Sequence, residues 1–272
     1  MKIINLVEDT KGNNCLNEHG LSFYIETEKH KLLSDSGATD MFMHNADILG
    51  IDLRQVDTFV LSHGHYDHAG GLPAFAKINS NAKIYMKSNA DGDYYHTYPQ
   101  FEKYIGIDKN IIKLPQVITV DENMQIDDEL FLFSDFKEKQ YPEWSNRDLK
   151  QKVGSEYIQD DFSHEQCLVI TQGEQRTLMS GCAHSGILSI LKRYYELFGS
   201  YPDTVISGFH MMKKTDYTQD EEEYIRQTAY ELLKTNALFF TGHCTGQKAF
   251  DIMKKIMGEQ LRGFHSGSAL TF

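Results

Sequence analysis

The chain has 272 residues, of which 40% are hydrophobic and 24% are charged, and its net charge is −12 at pH 7. This composition is typical of a folded globular protein. It disfavours a disordered chain and a general nucleic-acid binder, because proteins that bind phosphate backbones need a basic surface. The first apolar run is too short for the core of a signal peptide, and no stretch approaches the roughly 20 apolar residues that span a bilayer, so we expect a cytoplasmic protein without a membrane partner.

The start of the chain is rich in strand-forming residues. Three antiparallel strands are predicted there, at residues 2–8, 21–25 and 31–34. Apolar residues at helical spacing then predict a helix over 39–49, which Gly50 closes. A strand at 58–61 follows, and a polar run at 63–68 begins where this strand ends. Functional residues often lie at such junctions between a strand and a loop.

The second half of the chain has the same mixed character. Four strands are predicted, at residues 166–171, 176–180, 203–207 and 237–241. Three helices are predicted, at about 185–198, 220–235 and 246–257. The middle helix begins with a capping-box pattern formed by Thr218 and Glu221. Strands and helices alternate in both halves, which predicts an α/β sandwich in a single domain.

Between about residues 88 and 163 the sequence becomes rich in tyrosine among acidic and polar residues. We interpret this segment as an insertion with a β-hairpin near 117–135 and irregular flanks. Its aromatic residues either pack against the protein beneath long loops or cover a substrate as a lid, since long loops in compact domains are often functional.

The strongest chemical signal is a group of three histidines and one aspartate within six residues, namely His63, His65, Asp67 and His68. Imidazole nitrogens and a carboxylate oxygen are ligands suited to zinc, iron or manganese. The alternative is a polar surface loop with accidental histidines, for which this density is unusual. Glycines at positions 64, 70 and 71 are expected to let the backbone fold tightly around one centre, because glycine tolerates dihedral angles that other residues resist.

Further candidate ligands follow two of the later predicted strands. His184 comes directly after the strand at 176–180, and His243 comes after the strand at 237–241, so we expect both to approach the first motif. Each has a cysteine close by. Cys182 and Cys244 are either soft ligands that favour zinc or small buried residues that only pack.

The remaining histidines have weaker support. His210 also ends a predicted strand, and it either contacts substrate and transfers a proton or is structural. His164 is a candidate ligand or a partner of one. The others, His19 among them, have no supporting ligands nearby in the sequence, and surface or core roles are expected for most of them.

Residues 62–72, SHGHYDHAGGL, resemble the signature of the metallo-β-lactamase superfamily. Further motifs resemble the dihydropteroate-synthase-like branch of that superfamily, at residues 19–22, 33–37, 180–187, 208–210 and 242–246. This resemblance covers nearly the whole chain. It implies an αββα sandwich with a metal site at one edge of its two sheets, usually with two metals, and it places Cys182 about where many members have a bridging aspartate.

Two divalent ions, with zinc as the first expectation and manganese or iron as alternatives, predict hydrolysis of a small substrate by an activated water. Asp67 is expected to hold the attacking water or accept its proton, and His210 to stabilise charge on the leaving side. Lys213, Lys214 and the helix that opens near Gly246 favour an anionic, phosphate-bearing substrate, unless the lysines are only solvated. A pterin-linked synthase, implied by the resemblance alone, and a non-catalytic metal-binding protein are the two alternatives.

Overall fold

The computed structural model describes all residues from 1 to 272, and it contains three β-sheets and seven α-helices. The strands are β1 (Lys2–Val7), β2 (Ser22–Glu26), β3 (Lys31–Ser34), β4 (Thr58–Val60), β5 (Lys83–Lys87), β6 (Tyr94–Thr97), β7 (Glu102–Tyr104), β8 (Val117–Val120), β9 (Met124–Gln125), β10 (Leu130–Phe133), β11 (Leu149–Val153), β12 (Glu156–Gln159), β13 (Cys167–Gln172), β14 (Gln175–Met179), β15 (Thr204–Ile206), β16 (Leu238–Thr241), β17 (Leu261–Gly263) and β18 (Ala269–Thr271).

The helices differ widely in length, and none combines the length and the apolar composition needed to cross a bilayer. They are α1 (Met41–Ile48), α2 (Tyr66–Ala69), α3 (Leu72–Ile78), α4 (Glu143–Asn146), α5 (Ile187–Phe198), α6 (Gln219–Leu233) and α7 (Gln247–Met257). The predicted capping box at the start of α6 is confirmed, because the Thr218 hydroxyl accepts from the Glu221 backbone N–H while the Glu221 side chain accepts from the Thr218 N–H.

The first sheet has the strand order β18-β1-β2-β3-β4-β5-β8. The predicted antiparallel meander of β1, β2 and β3 is confirmed, with Ile3 opposite Ile25 and Tyr24 opposite Leu33. From β3 to β8 the strands are parallel. Because parallel strands end at the same edge of a sheet, the loops after β3, β4 and β5 lie together.

The second sheet has the strand order β17-β16-β15-β14-β13-β10-β9. Strands β9, β10, β13 and β14 are antiparallel neighbours, whereas β14, β15, β16 and β17 are parallel. The loops that follow β14, β15 and β16 therefore also share one edge.

Three apolar clusters define the layers. The central cluster joins residues of both large sheets, such as Ile25 and Leu168, and it fills the space between them. A second cluster packs the first sheet against α1 and α3, and it includes Phe42 and Phe75. A third packs the second sheet against α5, α6 and α7. The order of layers is helix, sheet, sheet, helix, which confirms the predicted αββα sandwich.

The aromatic segment at 88–163 is divided among all three sheets. Strand β8 joins the first sheet, β9 and β10 form a hairpin in the second, and β6, β7, β11 and β12 form a separate four-stranded sheet. The β-hairpin predicted near 117–135 is formed by β9 and β10, whereas β8, at the start of that range, pairs with β5 instead. The segment that follows β7 contacts the loop at 62–72, since the Tyr66 N–H donates to the Ile105 carbonyl at 2.9 Å.

The glycines of the 62–72 loop are needed for a different reason from the expected one. None of Gly64, Gly70 and Gly71 has a positive φ angle; at Gly70 it is −62° and at Gly71 it is −80°. Instead, a side chain at any of them would overlap neighbouring backbone, which at Gly70 is the carbonyl oxygen of Ala38. Close approach of two backbone segments, rather than unusual dihedral angles, excludes a side chain here.

Replacing Gly70 by alanine is expected to lower the free energy of unfolding by about 1–3 kcal/mol, because the Ala38 carbonyl is backbone and cannot move aside as a flexible side chain can. Denaturant unfolding of the variant measures this loss. Gly173→Ala is the control, because an added methyl group at this open turn contacts no other atom. The φ angle there is +63°, so any loss of stability in this variant reports dihedral strain alone. A Gly70→Ala protein as stable as the wild type would show that the backbone contact is not limiting.

Candidate metal centre

The loop after β4 and the loop after β14 bring three histidines together. The rings of His63 and His65 lie 4.7 Å apart between centroids, and each lies 4.9 Å from the ring of His184. All three are buried. Burial lowers the pKa of His65 to about 3 and also lowers the pKa values of His63 and His184, so these imidazoles are neutral at pH 7, which is the form that binds metals.

A second group lies beside the first. The Asp67 Oδ2 atom is 3.5 Å from His243 Nε2 and 3.9 Å from His68 Nε2. Burial alone would raise the pKa of Asp67, but the neighbouring His68 and His243 hold it well below its usual range. The structure therefore places an ionised carboxylate and two imidazoles, all contributed by strand-end loops, next to the first three histidines.

Cys182 lies between the two groups. Its Sγ atom is 3.2 Å from His68 Nε2, and it lies within 4.8 Å of the candidate ligand atoms of both the His63–His184 pair and the His68–His243 pair. Cys244 lies behind it, with its Sγ atom 3.6 Å from the Cys182 carbonyl oxygen. Of the two cysteines, only Cys182 offers its sulfur to both groups.

The side chains present fit a pair of divalent metal ions. Four buried Nε2 atoms, those of His63, His65, His184 and His243, have no hydrogen-bond partner in the protein. A buried polar atom without a partner costs about 1–3 kcal/mol, so four of them facing one another require a common ligand. A divalent cation satisfies neutral imidazoles, a carboxylate and a cysteine thiolate together.

In His68 and His243 the Nδ1 atoms are held in place by buried or partly buried carboxylates. Asp35 accepts hydrogen bonds from His68 Nδ1, the Ser62 hydroxyl and the Ser62 N–H, each at 2.7 Å. Asp9 accepts from His243 Nδ1 at 2.6 Å. With Nδ1 engaged, the rings of His68 and His243 present Nε2 to the centre, which is the arrangement that partners of metal-ligating histidines commonly produce.

The His184 loop has its own support. Glu165, fully buried, accepts from the backbone N–H groups of His184 at 2.7 Å and Ser185 at 2.9 Å. The side chain of Asn146 contacts His184 Nδ1 at 3.2 Å. These contacts fix the position of a candidate ligand that is far from the first motif in the sequence.

With this geometry established, comparison with known proteins identifies the family. The model of the metallo-beta-lactamase superfamily matches residues 17–143. A solved structure described as a metal-dependent hydrolase of the beta-lactamase superfamily is 30% identical, with a TM-score of 0.82 and with 100% of this chain and 99% of that chain covered. The chain belongs to the metallo-β-lactamase superfamily.

Two further proteins are similar to it along their full length. The 7,8-dihydropterin-6-methyl-4-(β-D-ribofuranosyl)-aminobenzene-5′-phosphate synthase of Methanocaldococcus jannaschii is 28% identical over 293 residues, covering 100% of this chain and 97% of the synthase. Zinc-bound PqqB from Methylobacterium extorquens is 14% identical with a TM-score of 0.58, covering the full length of both chains. The second likeness concerns the fold alone.

In this superfamily member His164 is a positioning residue, with both ring nitrogens engaged. Its Nδ1 accepts from the Gly64 N–H at 2.9 Å, and its Nε2 lies 3.2 Å from Asp160 Oδ2. The ring therefore supports the backbone between His63 and His65. His164 was predicted to be either a metal ligand or a partner of a ligand, and these contacts fit the second role.

His210 lies at the centre with a left-handed backbone, at φ 46°. Its ring is 4.1 Å from that of His184, and its buried Nδ1 has no partner. Lys213, by contrast, is engaged by Glu221 at 2.7 Å, so it is not free to bind an anion. Within the aromatic segment, Tyr94 is buried with its ring 4.1 Å from that of His164, whereas Phe101, Tyr104 and Tyr157 are exposed.

Sequence reasoning missed several residues of this centre. Asp9, Asp35 and Glu165 were not singled out, and His19 was assigned to a surface or core role. The structure places His19 Nε2 3.4 Å from Asp67 Oδ2. The available signal was the position of Asp35 at the end of β3, next to the end of β4 in the same sheet.

Proposed function

We propose that this chain is a metal-dependent hydrolase with two divalent metal ions, zinc being the first candidate and manganese or iron the alternatives. The observation that carries the proposal is the convergence of four unpartnered Nε2 atoms and the Asp67 carboxylate at one buried centre. His63, His65 and His184 would hold the first ion. Asp67, His68 and His243 would hold the second, with Cys182 between them.

Bound at this centre, two divalent ions would supply an activated water and polarise the bond under attack. The protein's own side chains orient the reactants. The ionised Asp67 steers the attacking water and accepts its proton, while His210, next to His184, stabilises charge on the leaving side.

The proposed substrate is a small phosphorylated molecule. The M. jannaschii relative is named for a product with a 5′-phosphate, and its likeness extends over the full length of both chains. Lys214 is exposed on the loop after β15, close to His210 in the sequence, and it is available to an anion because no ion pair engages it. The cytoplasmic location, the lack of a nucleic-acid partner and the single-domain organisation stay predictions from the sequence.

The second candidate is a pterin-linked synthase, which the same relative favours at 28% identity. A non-catalytic metal-binding protein is the least supported, because it would need the metal ligands but not His210, whose unpartnered ring lies beside His184.

Protein purified without added metal is expected to contain about two divalent ions per chain by elemental analysis. It is expected to hydrolyse a phosphodiester or a lactone, with His184→Ala inactive and His44→Ala, exposed on α1, unaffected. Turnover only when a dihydropterin and a ribofuranosyl-aminobenzene phosphate are both present would favour the synthase. Less than one metal per chain, even after reconstitution with zinc or manganese, would contradict both.

A further inference from the structure

His19 and His243 face the same carboxylate oxygen. The Nε2 atoms of His19 and His243 lie 3.4 Å and 3.5 Å from Asp67 Oδ2, and their rings are stacked with centroids 4.9 Å apart. His243 is buried, whereas the His19 side chain is 47% exposed. His19 thus stands on the solvent side of the second ligand group.

Asp9 holds both rings in the same way. Its two carboxylate oxygens lie 2.8 Å from His19 Nδ1 and 2.6 Å from His243 Nδ1. An acceptor at Nδ1 fixes the tautomer in which Nε2 carries a lone pair, the arrangement that carboxylate partners give to metal-ligating histidines. Asp9 therefore fixes the tautomer and the orientation of the His19 ring as it does those of the His243 ring.

The distances to Asp67 indicate shared coordination rather than hydrogen bonding. A charge-assisted N–H···O hydrogen bond is about 2.7–2.9 Å long, and the contacts of both rings with Asp9 are near that range. The contacts with Asp67 are longer. Two ligands bonded to one ion at about 2.0–2.1 Å, with an angle of about 109° between them, are separated by about 3.3–3.4 Å, close to the observed 3.4 and 3.5 Å.

We propose that His19 is a further ligand of the second metal ion, together with Asp67, His68 and His243. This inference rests on the two-metal centre proposed above. It assigns His19 a role that neither its exposure nor its isolation in the sequence indicates, and it explains why one aspartate holds two imidazoles at the rim of the centre.

Zinc titration of metal-free protein by calorimetry tests the assignment. In His19→Ala the first equivalent is expected to bind as in the wild type, while the affinity for the second falls by about 10–100-fold or more, as for loss of a metal-site group. Cobalt substitution gives a second readout, because loss of one nitrogen ligand changes the visible absorption of the second ion only. His44→Ala, an exposed histidine on α1, is the matched control.

A His19→Ala protein that binds both equivalents with wild-type affinity and an unchanged cobalt spectrum would overturn the assignment. If this variant folds poorly, His19→Gln replaces it, because glutamine keeps a polar side chain beside Asp9 without an imidazole. An unaltered cobalt spectrum of His19→Gln would also overturn the assignment of His19 as a ligand. If the wild-type protein binds fewer than two zinc ions, the proposed two-metal function is contradicted, and the second ion that His19 would bind does not exist. The two failures are thereby distinguishable.

Discussion

Replacement of Asp67 by alanine is expected to reduce turnover by on the order of 10³-fold, because the variant loses both a ligand of the second metal ion and the group that handles the proton of the attacking water. The first ion is expected to stay bound, since His63, His65 and His184 do not contact Asp67 through hydrogen bonds. The metal content measured by elemental analysis should therefore fall from about two ions per chain to about one.

The fold should survive this change. The Asp67 side chain contacts histidines at the edge of the sandwich, and the apolar clusters between the layers do not include it. Thermal unfolding of metal-free wild-type and Asp67→Ala proteins is the control. Unchanged turnover would refute the catalytic role of Asp67, and global unfolding would indicate a structural metal site and support the non-catalytic alternative.

The largest loss of stability is expected at Asp35, which no ligand scheme includes. Asp35→Ala removes the acceptor of three buried donors, on Ser62 and His68, and places alanine at a backbone φ of 61°. Breaking a buried charged network of this kind costs about 3–5 kcal/mol. Denaturant unfolding of the metal-free protein measures this loss separately from any change in metal binding.

Asp35→Asn separates the electrostatic role from the steric one. Asparagine has the same shape and tolerates the left-handed backbone, but its NH2 group only donates, so at least one of the three donors on Ser62 and His68 loses its acceptor. We expect affinity for the second metal to fall about 10–100-fold with a smaller loss of stability than in Asp35→Ala. Asp216→Asn, at a carboxylate whose side chain is 93% exposed, is the control. Wild-type metal affinity in Asp35→Asn would contradict the positioning role.

The sequence predicted the local elements well because their signals are local. The strand before the histidine motif, the helices α5, α6 and α7, and the capping box at Thr218 all follow from neighbouring residues. The placement of His184 and His243 at strand ends also anticipated where the structure brings them, because parallel strands in one sheet share an edge.

The remaining features depend on residues that are distant in the chain. Whether β8 pairs with β5 or with β10 depends on which strands are its neighbours in the folded sheet. The residues of the aromatic segment do not by themselves specify this pairing. The sequence likewise gives Asp9 and His19 no predicted role in the centre, because their contacts with Asp67 and His243 form only in the folded chain. Supporting residues of this kind have no fixed spacing from the ligands they hold.

The candidate ligands are divided between the two large sheets: His63, His65, Asp67 and His68 follow a strand of the first, and His184 and His243 follow strands of the second. An unfolded chain cannot present them together, so metal binding and folding are thermodynamically linked. An ion that binds only the native state adds about 4 kcal/mol when its free concentration is 1,000 times its Kd. The free energy of unfolding is therefore a function of metal supply, and the same polypeptide has different apparent stabilities in metal-rich and metal-poor surroundings.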